Sequence, residues 1–186
     1  MRIVAGELRG RSIQAPAGAD VRPTSDRARQ AVFNILEHAS WSDGLEGRRV
    51  IDLFAGSGAL GLEALSRGAV AGLFVDNAEA PLAAVRANIA ALGLGERARL
   101  LRQDATRVGR RPDSEVTYDV AFLDPPYGKD LGEPALMALR DGGWLSAGAI
   151  CVMELGRDET IGAIPDFPLL DQRRYGAAKV LFLCSN

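Results

Sequence analysis

The sequence predicts an α/β protein with a mostly parallel β-sheet, and two features of its 186 residues support this. From Arg49 onward, short apolar runs alternate with amphipathic stretches that begin and end at turn residues. Strands that alternate with helices form right-handed crossovers, which cover both faces of a parallel sheet. The last two apolar runs are too close for a helical crossover, so we expect them to pair antiparallel.

Seven strands are predicted, five before the C-terminal hairpin and two within it. Their predicted ranges are Val50–Phe54, Val70–Val75, Ala98–Leu101, Tyr118–Leu123, Ile150–Leu155, Leu169–Tyr175 and Lys179–Cys184. The helix after the first strand is expected to end at Gly68. Asn77 is expected to cap the next helix, which ends at Gly93. A sheet of this kind with a C-terminal hairpin resembles class I methyltransferases, a Rossmann-like architecture, more than a plain dinucleotide-binding fold.

A small hairpin-helix extension precedes the sheet, and we predict a division of the chain into residues 1–40 and 41–186. Arg2–Ala5 and Arg11–Gln14 are expected to form the hairpin. A loop follows, and then a helix that Ser25 or Thr24 is expected to cap and whose apolar stripe starts at Ala28. Residues 1–30 are rich in arginine, and charge alone predicts a solvated surface for them.

The composition limits the possible functions. An apolar content of 47% fits one compact domain, and a net charge of −2 argues against a non-specific nucleic-acid binder. The apolar runs are strand-sized, so we expect no membrane span. Cys151 and Cys184 lie in apolar runs, which favours a reducing cytoplasm. His38 is the only histidine, so no metal site is expected. We expect a monomer.

A glycine-rich loop follows the first strand and opens a helix. Gly56, Ser57, Gly58 and Gly61 have the G-x-G-x-x-G spacing, which in this position is typical of nucleotide-like ligands. Tight packing of strand on helix would also explain the glycines. The predicted binding residues of the loop are Phe54, Ala55, Gly56, Ser57, Gly58 and Gly61.

Acidic residues indicate which ligand binds there. Asp52 precedes the loop, where it would repel the pyrophosphate of NAD or FAD but attract the cationic amine and sulfonium of S-adenosyl-L-methionine. Asp76, beside Asn77, can accept hydrogen bonds from ribose hydroxyls, and Asp104, beside Ala105, from the adenine amine. Each acid alone could be a solvated strand-end residue. Together they predict an S-adenosyl-L-methionine site.

The segment Asp124-Pro125-Pro126-Tyr127 closes the fourth predicted strand at the same edge of the sheet. It could be a simple strand stop, because two prolines cannot continue a ladder. It also suits methylation of an aromatic amine, a poor nucleophile. The Asp124 carboxylate and the Pro125 carbonyl can accept both amino hydrogens and stabilise positive charge on the nitrogen. Tyr127 offers a face on which a flipped base can stack.

These residues resemble the amino-methylating nucleic-acid methyltransferases. The N-terminal motifs narrow the resemblance to the RsmD family, bacterial methyltransferases of guanine N2 in 16S ribosomal RNA. Those motifs are Arg2-Ile-Val-Ala-Gly6, Leu8-Arg-Gly10-Arg11, Arg22-Pro-Thr24-Ser-Asp26-Arg27-Ala-Arg29 and Phe33-Asn34. The resemblance covers nearly the whole chain.

The resemblance implies a class I fold, S-adenosyl-L-methionine as cofactor, and 16S RNA in an assembled or late-assembling 30S subunit as substrate. It places the cofactor over Asp52, the glycine loop, Asp76 and Asp104, and makes Asp124 through Tyr127 the catalytic loop. The N-terminal segment would contact RNA phosphates or order a lid over the cofactor, which replaces the solvated-surface interpretation. Its implied RNA-contacting residues are Arg2, Arg9, Arg11, Arg22, Thr24, Arg27 and Arg29.

Three other functions stay open from the residues alone. A DNA adenine-N6 or cytosine-N4 methyltransferase would use the same amine chemistry but usually has a longer sequence-reading region. An NAD- or FAD-dependent oxidoreductase fits the glycine spacing but leaves Asp52 and the Asp-Pro-Pro-Tyr loop unexplained. A non-catalytic RNA-binding or assembly module would not need that loop.

Overall fold

The computed structural model describes residues 1–16 and 26–186. Within this part the chain forms four α-helices and seven β-strands. The helices are α1 (Asp26–His38), α2 (Ala59–Ser66), α3 (Glu79–Leu92) and α4 (Gly132–Asp141). The strands are β1 (Arg49–Leu53), β2 (Ala71–Asp76), β3 (Ala98–Arg102), β4 (Tyr118–Leu123), β5 (Leu145–Gly156), β6 (Leu169–Tyr175) and β7 (Ala178–Cys184).

The strands form one sheet in the order β3-β2-β1-β4-β5-β7-β6. The first five in this order pair in parallel, whereas β7 runs antiparallel to both β5 and β6. The predicted mostly parallel sheet with an antiparallel C-terminal hairpin is thus confirmed. The strand order reverses between β1 and β4, where ligands bind in sheets of this type. Leu53 and Leu123 are register partners there, so the loops after β1 and β4 start side by side.

Alternate residues of the central strands pack against opposite faces of the sheet. Val50 and Phe122 belong to the core shared with α1, α2 and α3, whereas Ile51 and Leu123 belong to the core shared with α4. This follows from the two-residue period of a strand. It explains why the central strands are continuous apolar runs.

The N-terminal extension contributes to the first of these cores. Ile3 and Ile13 are buried together with Phe33 of α1. The predicted hairpin is reduced to a single bridge between Arg2 and Ser12, supported by backbone hydrogen bonds such as Ile3 N–H to the Arg11 carbonyl (2.9 Å). The extension therefore packs on the sheet domain as part of one hydrophobic core.

Three local features differ from prediction. Strand β5 starts at Leu145 rather than Ile150, and a register shift separates its first residues from the rest. Helix α4, which the sequence analysis did not predict, buries a stripe that includes Leu136 and Leu139. The prediction that Asn77 caps α3 was wrong, because α3 starts after Ala78 with no side-chain cap. The predicted cap of α1 by Thr24 or Ser25 lies outside the described residues.

No helix in the described part of the chain has the length and apolar character needed to cross a membrane.

Candidate active site

A cavity of about 800 Å³ lies at the carboxyl ends of β1 to β5. This is the edge at which parallel α/β sheets bind their ligands, and the volume suits a nucleoside-sized molecule. The lining residues come from the loop after β1 and from the ends of the other four strands. They are Phe54, Gly56, Asp76, Asn77, Ala78, Pro81, Asp104, Thr106, Asp124, Pro125, Pro126, Tyr127, Leu131 and Glu154.

The glycine loop turns sharply into α2 below this cavity. Phe54 leaves β1 with φ of 59°, a left-handed conformation that strains a residue with a Cβ by about 1–3 kcal/mol. Gly58 also has positive φ, 77°. A Cβ at Gly61 would lie 2.4 Å from Cε1 of Phe74 on β2, so close packing alone requires that glycine. The loop therefore serves packing at Gly61 and borders the cavity at Phe54 and Gly56.

Asp76 ends β2 and holds the loop in place while lining the cavity. Its Oδ2 accepts the backbone N–H of Gly56 and its Oδ1 accepts that of Ala78, each at 3.1 Å. Asp104 follows β3, the strand beside β2, and is exposed. Its Oδ1 accepts the Thr106 hydroxyl (2.7 Å) and backbone N–H (2.8 Å), which together lower the pKa of the Asp104 carboxyl. Both carboxylates are thus oriented at the cavity wall.

Asp52 lies beneath the loop rather than on the wall of the cavity. It is 2% exposed, and its Oδ2 accepts the Gly61 N–H at the start of α2 at 2.9 Å. Burial, and secondarily the negative charge of Asp76, raise the pKa of Asp52 to about 7. Six predicted cofactor residues are not among those that line the cavity: Asp52, Ala55, Ser57, Gly58, Gly61 and Ala105. The other five line it.

The Asp-Pro-Pro-Tyr loop forms another wall. Asp124 is partly buried, and its pKa is raised well above the ordinary range by burial, then by the negative charges of Glu154 and Asp52. The Tyr127 hydroxyl donates to Oε1 of Glu154 on β5. The predicted catalytic residues therefore meet in one cavity with the predicted cofactor residues Asp76 and Asp104.

Five residues of the wall were not predicted: Ala78, Pro81, Thr106, Leu131 and Glu154. Glu154 had a visible signal, since it is an acid within the apolar run Ile150–Leu155. A charge in a buried strand is rare unless it has a partner or a use. The other four carry no charge, and only the fold brings them to the cavity.

The predicted RNA-contacting arginines separate into two kinds. Arg2, Arg9, Arg11 and Arg27 are exposed on the N-terminal extension and α1. Arg29 is 1% exposed and forms ion pairs with Asp26 (2.9 Å) and Glu63 (3.7 Å). Its predicted contact with RNA phosphate conflicts with this burial, because α1 turns that side chain into the core. Arg22 and Thr24 lie outside the described residues.

Two buried side chains attach the extension to the sheet domain. Glu63 of α2 is fully buried and accepts the backbone N–H groups of Val4 (2.7 Å) and Ala5 (3.0 Å). Asn88 of α3 accepts the Gln14 N–H (2.8 Å) and donates to the carbonyls of Gln14 (3.0 Å) and Ser57 (2.9 Å). Asn88 therefore connects the extension directly to the glycine loop.

Comparisons with known proteins identify the family of this chain. Residues 1–184 match the family described as Conserved hypothetical protein 95. A Bacillus subtilis protein, YlbH, named as a candidate rRNA methyltransferase, is 34% identical over 97% of this chain and 96% of its own. Ribosomal RNA small subunit methyltransferase D of Haemophilus influenzae is 32% identical over 95% of this chain and 89% of its own.

Solved structures show the same architecture. That of yhhF from Escherichia coli, described as a candidate methyltransferase, has a TM-score of 0.83 and 30% identity, and covers 100% of this chain and 98% of its own. SMU.776, another candidate methyltransferase, complexed with SAH (S-adenosylhomocysteine), has a TM-score of 0.62 and 21% identity over 84% of this chain and 49% of its own. Because SMU.776 is only 21% identical to this chain, the likeness between them shows a shared fold and nothing more. With the family match over nearly its whole length, this chain belongs to the RsmD family and has the class I methyltransferase fold.

Proposed function

We propose that this protein transfers the methyl group of S-adenosyl-L-methionine to the exocyclic N2 amine of a guanine in 16S ribosomal RNA. The observation that carries the proposal is a cavity with four carboxylates on its wall that also contains the Asp-Pro-Pro-Tyr loop. The four are Asp76, Asp104, Asp124 and Glu154. The relatives named as ribosomal RNA methyltransferases support the substrate class.

The charge of the cavity favours a cationic cofactor. None of the described residues that line it is a lysine or an arginine. A dinucleotide would bring its negatively charged pyrophosphate to this wall, whereas S-adenosyl-L-methionine brings a sulfonium and an amine. Asp76 is oriented by two backbone N–H groups, which leaves its carboxylate well placed for ribose hydroxyls. SMU.776, with the same fold, was solved with S-adenosylhomocysteine.

The bound cofactor supplies an electrophilic methyl group on a positively charged sulfur. The protein's residues prepare the amine for it. The Asp124 carboxylate and the Pro125 carbonyl accept the two amino hydrogens, so the nitrogen lone pair turns away from the base ring. With the cofactor bound, the methyl group would pass from the sulfonium to the amine nitrogen, and S-adenosylhomocysteine would leave with the electrons of the broken carbon–sulfur bond. The Asp124 carboxylate would stabilise the positive charge on the nitrogen until its proton passes to water.

The raised pKa of Asp124 gives this site a pH dependence. In the empty cavity, burial and the neighbouring acids favour the protonated form, which has no negative charge to stabilise positive charge on the nitrogen. A cationic cofactor stabilises the carboxylate and lowers this pKa again. Binding of the cofactor thus favours the carboxylate form of Asp124.

The N-terminal extension is the proposed RNA-contacting surface, with Arg2, Arg9, Arg11 and Arg27 exposed to meet phosphates. Guanine N2, an assembled or late-assembling 30S subunit, a monomeric enzyme and a cytoplasmic location are parts of the same proposal. Guanine N2 and the 30S subunit rest on the family resemblance. The cytoplasmic location rests on the unpaired cysteines and on where ribosomal RNA is modified, and the monomer rests on a chain long enough to fold alone.

Calorimetry tests the cofactor. S-adenosyl-L-methionine and S-adenosylhomocysteine should bind, and NADH and FAD should not. Because the methionine compound carries one more positive charge, its affinity relative to S-adenosylhomocysteine should rise between pH 6 and pH 8 as Asp52, whose pKa is about 7, ionises. Tight binding of NADH would contradict the assignment.

Labelled S-adenosyl-L-methionine tests the substrate when incubated with 30S subunits, free 16S RNA and duplex DNA. We expect label in the RNA, as N2-methylguanosine on nucleoside analysis. Asp124→Ala should lower kcat by about two to three orders of magnitude, as loss of a charge-stabilising partner does elsewhere, and leave the affinity for S-adenosylhomocysteine nearly unchanged. Label in DNA alone, or in another nucleoside, would reject this substrate.

A further inference from the structure

Glu154 is a buried acid at the cavity for which the proposed chemistry has no direct use. It lies near the end of β5, one residue beyond Met153, which is the register partner of Leu123 at the end of β4. Its side chain is 9% exposed and faces the cavity, although its neighbours in the strand are apolar core residues. Burying a carboxylate beside Asp124 costs stability, so a purely structural origin would favour a neutral residue.

Glu154 forms a hydrogen bond with the tyrosine of the Asp-Pro-Pro-Tyr loop. The Tyr127 hydroxyl donates to Oε1 of Glu154 across the cavity wall. Tyr127 nevertheless remains 37% exposed, so its ring is anchored at the hydroxyl while part of its surface faces the opening. An anchored ring loses rotational freedom before the base arrives, which lowers the entropy cost of stacking.

The loop is also held immediately after this tyrosine. The Gly128 N–H donates to Oε1 of Glu159, in the connection that follows β5. Asp124 is positioned by β4, on the other side of the two prolines. The ring is therefore fixed from its hydroxyl and from its backbone, relative to the carboxylate that meets the amine.

We propose that Glu154 is a positioning residue, which holds the Tyr127 ring so that the target base stacks with its amine at Asp124. This inference rests on the proposed function and extends it to a residue outside the Asp-Pro-Pro-Tyr loop. Glu154 acts through Tyr127 and does not itself contact the base.

A double-mutant cycle on the full-length protein tests the proposal. Single-turnover methylation of 30S subunits and of 16S RNA is measured with saturating labelled S-adenosyl-L-methionine, for wild type, Glu154→Ala, Tyr127→Phe and the double variant. Each single change should slow methyl transfer about tenfold or more, and the double variant should be no slower than the slower single one, because both remove the same contact. Glu96→Gln, an exposed acid between α3 and β3, is the control and should match wild type.

Glu154→Gln separates the hydrogen bond from the charge. Its amide oxygen can still accept the Tyr127 hydroxyl, so it should recover most of the rate that Glu154→Ala loses. The acids that face Asp124 are Asp52 on β1 and Glu154 on β5. Removing the second charge lowers the pKa of Asp124, so the acidic limb of the rate profile should move to lower pH. A merely structural role predicts instead that the rate losses of the variants follow their losses of stability in urea.

The outcomes distinguish the two proposals. If wild type methylates RNA and Glu154→Ala is within twofold of it, or if the two losses simply multiply, the positioning role is overturned while the proposed function stands. If wild type transfers no methyl group to either RNA, both are overturned.

Discussion

Buried carboxylates occur in two regions of this molecule, and the charges that surround them are of opposite sign. Glu63, where the N-terminal extension meets α2, accepts two backbone N–H groups and the Nε of Arg67 (2.7 Å), with Arg29 nearby. At the cavity, the partly buried Asp124 lies near the buried acids Glu154 and Asp52, and the pKa of Asp124 is raised. In the first region, the arginines Arg67 and Arg29 compensate the buried negative charge. The second contains acids that a cationic ligand would stabilise.

We interpret the charge of Glu63 as structural and the charges at the cavity as functional. Compensation at Glu63 fixes the position of the extension, because each donor has a defined direction. Crowded acids at the cavity reduce the stability of the empty protein but increase the affinity for a cation. Four predictions test the distinction, from the largest expected effect to the smallest.

Glu63→Ala should lower the free energy of unfolding by about 3–5 kcal/mol, because it leaves buried guanidinium groups without their carboxylate. Urea unfolding measures this at pH 7. Glu37→Gln is the matched control, since Glu37 pairs with the same Arg67 (3.0 Å) but is partly exposed. It should cost less than about 1 kcal/mol. Equal effects of the two changes would show that burial does not decide the strength of this network.

Asp52→Asn should stabilise the protein, with a gain that depends on pH. The folded-state pKa of about 7 lies above the ordinary 3.8, so the folded protein keeps a proton that the unfolded chain releases. Wild-type stability therefore falls as pH rises from about 4 to 7 and levels off above that. At about 1.4 kcal/mol per pKa unit, the gain at pH 8 is at most roughly 4 kcal/mol. Thermal unfolding between pH 4 and pH 8 checks it, and a pH-independent difference would contradict the assigned pKa.

Asn88→Ala should lower the free energy of unfolding by about 1–3 kcal/mol, because it leaves the Gln14 and Ser57 backbone groups without a buried partner. It should also weaken binding of S-adenosylhomocysteine in calorimetry, since Ser57 belongs to the glycine loop. Asn34→Ala, on the exposed side of α1, is the control and should change neither quantity. Unchanged cofactor affinity in Asn88→Ala would mean that the loop holds its shape without this link.

Arg27→Ala should leave stability within about 0.5 kcal/mol of wild type, because the side chain is exposed. If Arg27 contacts a phosphate, affinity for RNA should fall and the slope of log affinity against log salt should decrease in magnitude by about one. Arg29→Ala, two residues along the same helix, should instead lower stability. Filter binding at several salt concentrations measures the slope, and an unchanged slope would remove Arg27 from the RNA surface.

The sequence by itself determined the seven strands and three of the four α-helices along the described chain, the C-terminal hairpin and the two loops that meet at the cavity. These are local properties. Apolar runs identify buried strands. A glycine permits the positive φ angles of a turn, and a pair of prolines ends a strand because proline has no backbone N–H to donate. Asp76, Asp104 and Asp124 could be predicted as site residues because the carboxyl ends of parallel strands meet at one edge of the sheet.

Only the tertiary structure decided which charged groups meet. Arg27 and Arg29 are two residues apart and equally basic in sequence, yet one is exposed and the other contacts Glu63. Asp52 turns beneath its loop to the Gly61 N–H, and Glu154 reaches Tyr127 because β5 lies beside β4. Periodicity indicates which face of an element is buried, but the partner on that face comes from a distant part of the chain, and sheet order and packing select it.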